Sequence, residues 1–102
     1  MRTNIPLADQ IVQVAHACLE AGFTFQKPNE TIHLVVICVD SETHLLTALE
    51  KIGLHGIQFV VFHEPDDQMG FTAACTAPLS TNLRREFRSF RLWDSTREEI
   101  KK

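Results

Sequence analysis

Residues 32–39 read Ile-His-Leu-Val-Val-Ile-Cys-Val and are apolar throughout except for His33. Such a run lacks the alternation of a strand with one wet face, so it describes a strand covered on both sides. Strands of that kind sit in sheets flanked by helices, which constrains the chain to an α/β class. Residues 57–62 and 71–77 read as a second and a third strand, and residues 90–93 as a short final one. Helical patterns lie between them. The first runs over residues 7–21, with Pro6 suited to its first turn and Gly22 as its C-terminal cap. A loop around Lys27-Pro28-Asn29 follows. Asp40 and Ser41 are N-cap candidates for a second helix, on which Leu45, Leu46, Leu49 and Ile52 recur at helical spacing until Gly53 stops it. Ser80 suits the start of a third, with Leu83 and Phe87 as its inner stripe. Residues 63–68 form a loop, and residues 94–102 a charged, frayed tail. The order helix, strand, helix, strand, strand, helix, strand predicts a mixed sheet with helices on both faces, in one domain spanning residues 1–102.

The 102 residues suffice for one modest core, and the 44% apolar and 23% charged fractions are those of an ordinary globular protein. No apolar run approaches ~18 residues, and the first residues lead into a polar-interrupted helix rather than a secretory leader. The expectation is a cytoplasmic protein without a membrane partner. Cys18, Cys38 and Cys75 are widely spaced in apolar contexts and read as buried, reduced thiols. No Cys-x-x-Cys or His-x-x-x-His spacing supports a zinc site. Glycine-rich dinucleotide and phosphate loops are absent, as is a Gly-x-Ser-x-Gly nucleophile elbow.

The first helical segment is the most informative for function. Gln13 and His16 stand three residues apart and share roughly one face, while Ile11, Val12, Ala15 and Leu19 are expected to pack on the other side. His16 reads either as a proton carrier or RNA contact, or as a packing residue hydrogen-bonded to a nearby loop. Gln13 has the same two readings. Glu64, Asp66 and Asp67 fall together after a strand, where open α/β sheets bind ligands. They suit holding a water for ester attack, holding a cation through oxygen ligands, or forming a solvated turn at Pro65-Asp66. Arg84, Arg85, Arg88 and Arg91 belong to a basic stretch that suits either phosphate contacts or a solvated helix face. That local charge matters because the net charge of −3 is unfavourable for holding a polyanion. His33, His44, His55 and His63 read as surface or edge positions. Trp93 reads as a core or edge anchor before a base-stacking platform.

The run Ala8-Asp9-Gln10-Ile11-Val12-Gln13-Val14-Ala15-His16-Ala17 resembles the first helix of the type 2 peptidyl-tRNA hydrolases, which carry Lys-x-x-Ala-Gln-x-x-His-Ala. Leu34-Val35-Val36-Ile37-Cys38-Val39-Asp40-Ser41-Glu42 resembles that family's second strand and its Asp-Ser-Glu helix entry. Gly56-Ile57-Gln58-Phe59-Val60-Val61 resembles its Gly-Leu-Pro strand, and Thr72-Ala73-Ala74-Cys75-Thr76-Ala77-Pro78 its Thr-x-x-x-x-Gly-Pro strand. Together these cover roughly residues 2–93. The resemblance implies a three-layer α/β fold and hydrolysis of the ester between a peptide and the terminal ribose of tRNA. It implies tRNA rather than DNA as the nucleic-acid partner and needs no metal or organic cofactor. Catalytic roles would fall on Glu64, which orients or deprotonates a water, on His16, and on Thr72, which helps polarise the ester. Gln13, Asp9, Asp66, Asp67, Arg84, Arg85 and Arg88 would meet substrate. Asp9 stands where the family has its Lys, and Glu64-Pro65-Asp66-Asp67-Gln68 is shorter than its Asp-x-Gly-x-Thr loop. Arg2-Thr3-Asn4-Ile5 matches only the end of the family's first strand, so the fold is expected with that strand short or missing. Either the start of that strand is shortened or lies upstream, or a second copy covers the edge as a homodimer.

Overall fold

A computed structural model describes residues 1–31 and 33–94. The order of elements is that expected. It runs α1 (Leu7–Thr24), β1 (Ile37–Cys38), α2 (Glu42–Leu54), β2 (Phe59–Glu64), β3 (Gly70–Thr76), α3 (Thr81–Arg84) and β4 (Arg91–Leu92). Single 3-10 turns occupy Asp66–Gln68 and Arg85–Phe87, the second extending α3. The tail expected over residues 94–102 lies outside the described residues except for Asp94, as does Ile32 at the start of the first apolar run.

The strands form two antiparallel pairs, β1 with β4 and β2 with β3, rather than the single mixed sheet expected. The link between the pairs is the N-terminal stub. Arg2 makes an isolated parallel bridge to Val39. Its N–H donates to the Thr72 carbonyl at 3.0 Å, while the Val39 N–H donates to the Met1 carbonyl at 2.9 Å. Residues 1–3 therefore lie between β1 and β3. Of the described part of the apolar run, residues 33–39, only Ile37 and Cys38 pair with β4 and only Val39 bridges to Arg2, because both neighbouring segments are so short. Leu34 and Val35 stay exposed as a result.

Alternation along the strands sorts the core into two clusters. Phe59, Val61, Phe71 and Ala74 pack with Leu45, Leu49 and Ile52 of α2 and with Leu83 and Phe87 after Ser80. Phe62, Ala73 and Cys75 pack with Val14 and Ala17 of α1 and with Met1 and Trp93. Helices thus cover both sides of the strand layer. Ser41 caps α2 by accepting from the His44 N–H at 3.1 Å. Gly53 does not end that helix. The chain leaves it through His55 and Gly56, whose φ of 76° is the left-handed geometry a glycine permits. Gly22 likewise lies inside α1, which continues to Thr24 and ends at an extended Phe25.

The orientation of α1 departs most from expectation. Its buried residues are Gln10, Gln13, Ala17 and Ala21. Ile11, Val12, Ala15 and Leu19, expected to pack inward, face solvent. Polar residues are tolerated inside because each finds partners. Gln10, fully buried, donates to the carbonyls of Thr3 and Ile5 and accepts from the Trp93 indole N–H at 2.8 Å. One side chain thereby ties the N-terminal stub, α1 and the segment after β4.

Candidate functional site

Gln13, Glu64 and Thr72 come from α1, the end of β2 and the start of β3, and one hydrogen-bonded chain joins them. The Thr72 hydroxyl donates to Gln13 Oε1 at 2.7 Å, and Gln13 Nε2 donates to Glu64 Oε2 at 3.1 Å. This fixes the amide orientation of Gln13, since its oxygen must face a hydroxyl and its nitrogen a carboxylate. The second carboxylate oxygen, Glu64 Oε1, accepts from the Asp66 N–H at 3.2 Å.

A bulge in β3 makes the arrangement possible. Phe62 pairs with Ala73 and His63 with Phe71, which leaves Thr72 as the extra residue between them. An unbroken strand would turn Thr72 away from α1, because its neighbour Ala73 already faces that helix. The bulge lets two consecutive residues face the same side. It also puts the Thr72 carbonyl on the Arg2 N–H. Arg2, itself buried, uses its guanidinium to cap the carbonyls of Phe71 and Met69 and the side chain of Asn4.

Donors on both oxygens hold the Glu64 carboxyl below its ordinary value, Gln13 foremost and then the Asp66 N–H, with the nearby His16 adding a smaller electrostatic pull. Each donor favours the ionised form. His16 lies one turn beyond Gln13 on α1, exposed, with its ring stacked on Phe62 at a centroid distance of 4.5 Å and an interplanar angle of 4°. The site therefore has an accessible imidazole and a half-exposed carboxylate above a buried support of Gln13 and Thr72. Thr72 has no exposed surface and spends its hydroxyl proton on Gln13. It is a positioning residue, and the expected role of polarising an ester does not suit it.

The remaining residues expected at the site are placed less closely. Asp9 is partly buried one turn before Gln13 on α1. Asp66 and Asp67 are exposed on the 3-10 turn after β2, with Asp67 in the left-handed region at φ 55°. Asp66 takes part through its backbone N–H. Arg84, Arg85 and Arg88 are exposed near α3, which packs on the α2 side of the strands, and so are not brought together with His16 and Glu64. Arg91 pairs with Asp40 at 2.9 Å. Among the described residues, no group of three or more His, Cys, Asp or Glu side chains is placed to hold a metal ion. A cleft of about 290 Å³ opens between α2 and β4, lined in part by His44, Lys51 and Arg91. None of the four site residues lines it.

Two supporting residues have no motif to announce them. Gln10 is foreshadowed only by its spacing of three from Gln13, which puts two amides on one helix face. Arg2 is foreshadowed only by its place in the stretch Arg2-Thr3-Asn4-Ile5, and nothing local gives its role, because the carbonyls it caps lie nearly seventy positions away. Compared with models of protein families, with curated proteins and with solved structures, the chain matches none of them. No described helix is long and apolar enough to cross a membrane.

Proposed function

We propose that this chain is an ester hydrolase of the type 2 peptidyl-tRNA hydrolase kind, releasing peptide from the terminal ribose of tRNA. One observation carries the reading. Gln13, Glu64 and Thr72, which the sequence resemblance marks separately, form a single hydrogen-bonded chain beside His16, although Gln13 and Thr72 are 59 positions apart. The order of helices and strands supports the same fold family.

In this reading water attacks the ester carbonyl carbon. His16 takes the proton from that water as the new C–O bond forms. It returns the proton to the ribose oxygen as the old C–O bond breaks. Glu64 orients the water and stabilises the imidazolium. Its two donors make it a weak base, so proton transfer falls to His16. Gln13 fixes the carboxylate, and Thr72 fixes Gln13. Asp9, Asp66 and Asp67 border the surface on which the ester lies, while Arg84, Arg85 and Arg88 would meet the body of the tRNA away from it. The scheme uses water and side chains alone, in a cytoplasmic setting where peptidyl-tRNA is present.

A second reading has its own observation. Asp9 stands where the resemblance has a Lys able to stabilise a developing oxyanion, and the acidic loop is altered, which suits a divergent module that binds a ligand, RNA or protein without turnover. Release of labelled peptide from peptidyl-tRNA by the purified chain separates the two. We expect release that falls about 100-fold or more in His16→Ala, within the range that general acid–base groups supply. Glu64→Gln should also abolish most turnover while the protein stays folded at the assay temperature. Wild-type protein that binds peptidyl-tRNA but releases peptide no faster than buffer would overturn the enzyme reading in favour of the second.

A further inference from the structure

The outward face of α1 carries an apolar ridge that nothing among the described residues covers. Leu7, Ile11, Ala15, Leu19 and Phe23 recur every fourth residue and so form one ridge along the helix surface. Leu7 is 39% exposed, Ile11 59%, Leu19 56% and Phe23 83%, with Val12 beside them at 48%. A surface helix ordinarily turns such residues inward and its amides outward. Here Gln10 and Gln13 are inside and the ridge is outside. The exposed area of these five large residues is roughly 600 Å², at the upper limit for the largest patch on a monomer and near the ~800 Å² per partner of a standard interface.

The ridge is also symmetric in size about its centre. It reads large, large, small, large, large, with Ala15 in the middle, Ile11 balanced by Leu19 and Leu7 by Phe23. The neighbouring pair Ala8 and Gly22 is small on both sides. A two-fold axis through Ala15 sets an antiparallel second α1 so that Ile11 of each copy meets Leu19 of the other. The two small residues at the crossing allow close approach. An isologous contact requires a patch of this kind, complementary to itself. Antiparallel helices also align their dipoles favourably. The charged residues of the helix, Asp9 and Glu20, fall on the Gln13 side by helical rotation and leave the ridge uncharged.

We propose that the occupant of this face is a second copy of the same chain, docked α1 against α1 about a two-fold axis at Ala15. The inference is independent of the hydrolase reading. It differs from the homodimer expected from an open strand edge, because residues 1–3 already occupy the position between β1 and β3. The pairing would leave His16 at the flank of the interface, so the two sites would open on opposite sides of the helix pair.

Sedimentation equilibrium of the full chain over roughly 1–200 μM tests it. We expect a species of twice the 11.6 kDa chain mass, with Leu19→Glu weakening association at least ~100-fold, because each dimer buries that position twice. A cross-link guards against a variant that merely misfolds. In a Cys18→Ser background, Ala15→Cys should oxidise to a covalent dimer, since only residues at the axis come within disulfide distance of their own counterparts. Glu20→Cys in the same background should not. A monomer across the range overturns the proposal, and so does a dimer that survives Leu19→Glu and fails to cross-link through Ala15→Cys.

Discussion

Gln13 is the residue on which the candidate site turns, because it is 3% exposed and has partners at both ends of its amide. Gln13→Leu would remove the acceptor of the buried Thr72 hydroxyl and the leading donor to Glu64. Leaving one buried hydroxyl without a partner costs about 1–3 kcal/mol, and urea unfolding should show a loss of that order. Adding Thr72→Val removes the orphan. The double variant should therefore recover part of the loss, whereas independent sites would simply add. Glu64 gives a second test, in pH. Its folded carboxyl titrates below the ordinary value of 4.5, so its contribution favours the folded state above that pH and is lost as pH falls through the folded value. Wild type should exceed Glu64→Gln in stability at pH 7, and the gap should close on acidification. A gap that is constant with pH would show that the donors do not prefer the charged form.

At the scale of elements, the β2–β3 hairpin and the first turn of α2 are built as one piece. The Glu42 carboxylate accepts from the Phe71 N–H at 2.8 Å. Gly70 sits beneath it at φ 74°, where a Cβ would collide with Glu42 Oε2. Gly70→Ala would combine left-handed strain with a collision against a carboxylate engaged in a hydrogen bond. We expect a loss of more than ~1 kcal/mol in stability, the usual scale of the conformational term alone. Glu42→Ala should lose less. In the double variant the collision disappears, and the cost should fall short of the sum. Equal sums would mean that hairpin and helix are not coupled here. The bulge at Thr72 belongs to the same hairpin and explains why the site could be only half read from sequence. Gln13, His16, Glu64 and Thr72 stand out through residue type and spacing. Nothing local says that Thr72 is the unpaired residue, because a bulge is set by the register of a partner strand. Nor does helical periodicity say which side of α1 is buried. The apolar side was the natural choice. The inward amides win because Thr72, Glu64, Trp93 and the turn at Thr3 and Ile5 supply their partners from elsewhere in the chain.

For the whole molecule, the order of elements was legible because each has its own apolar period and punctuation, whereas the extent of strand pairing was not. Two residues of β1 pair with two of β4, against the six-residue β2 paired along seven of β3. Backbone pairing of such unequal length implies unequal local stability, since a two-residue ladder encloses few hydrogen bonds and opens without disturbing the rest. The β1–β4 side is held by the bonds of Val39 and Ile37 to Met1 and Thr3, by the Trp93 N–H on Val36 at 2.8 Å, by the Arg91–Asp40 pair and by the Trp93 indole on Gln10. Most of these join short segments one bond at a time rather than as a continuous ladder. Native-state hydrogen exchange should therefore divide the amides into two groups. Those of Val60 and Cys75, which face each other across the hairpin in the same alternation that puts the Ala77 N–H on Gln58, should exchange only through global unfolding, while those of Val39 and Trp93 should exchange through a smaller opening of lower free energy. Gln10→Leu should widen the difference, releasing the indole and leaving the carbonyls of Thr3 and Ile5 without their donor, and it should accelerate exchange at Trp93 more than at Cys75. Equal protection across both groups would show that the stub of residues 1–3 binds the two strand pairs into one cooperative layer. The short pairing would then be a feature of geometry without a counterpart in stability.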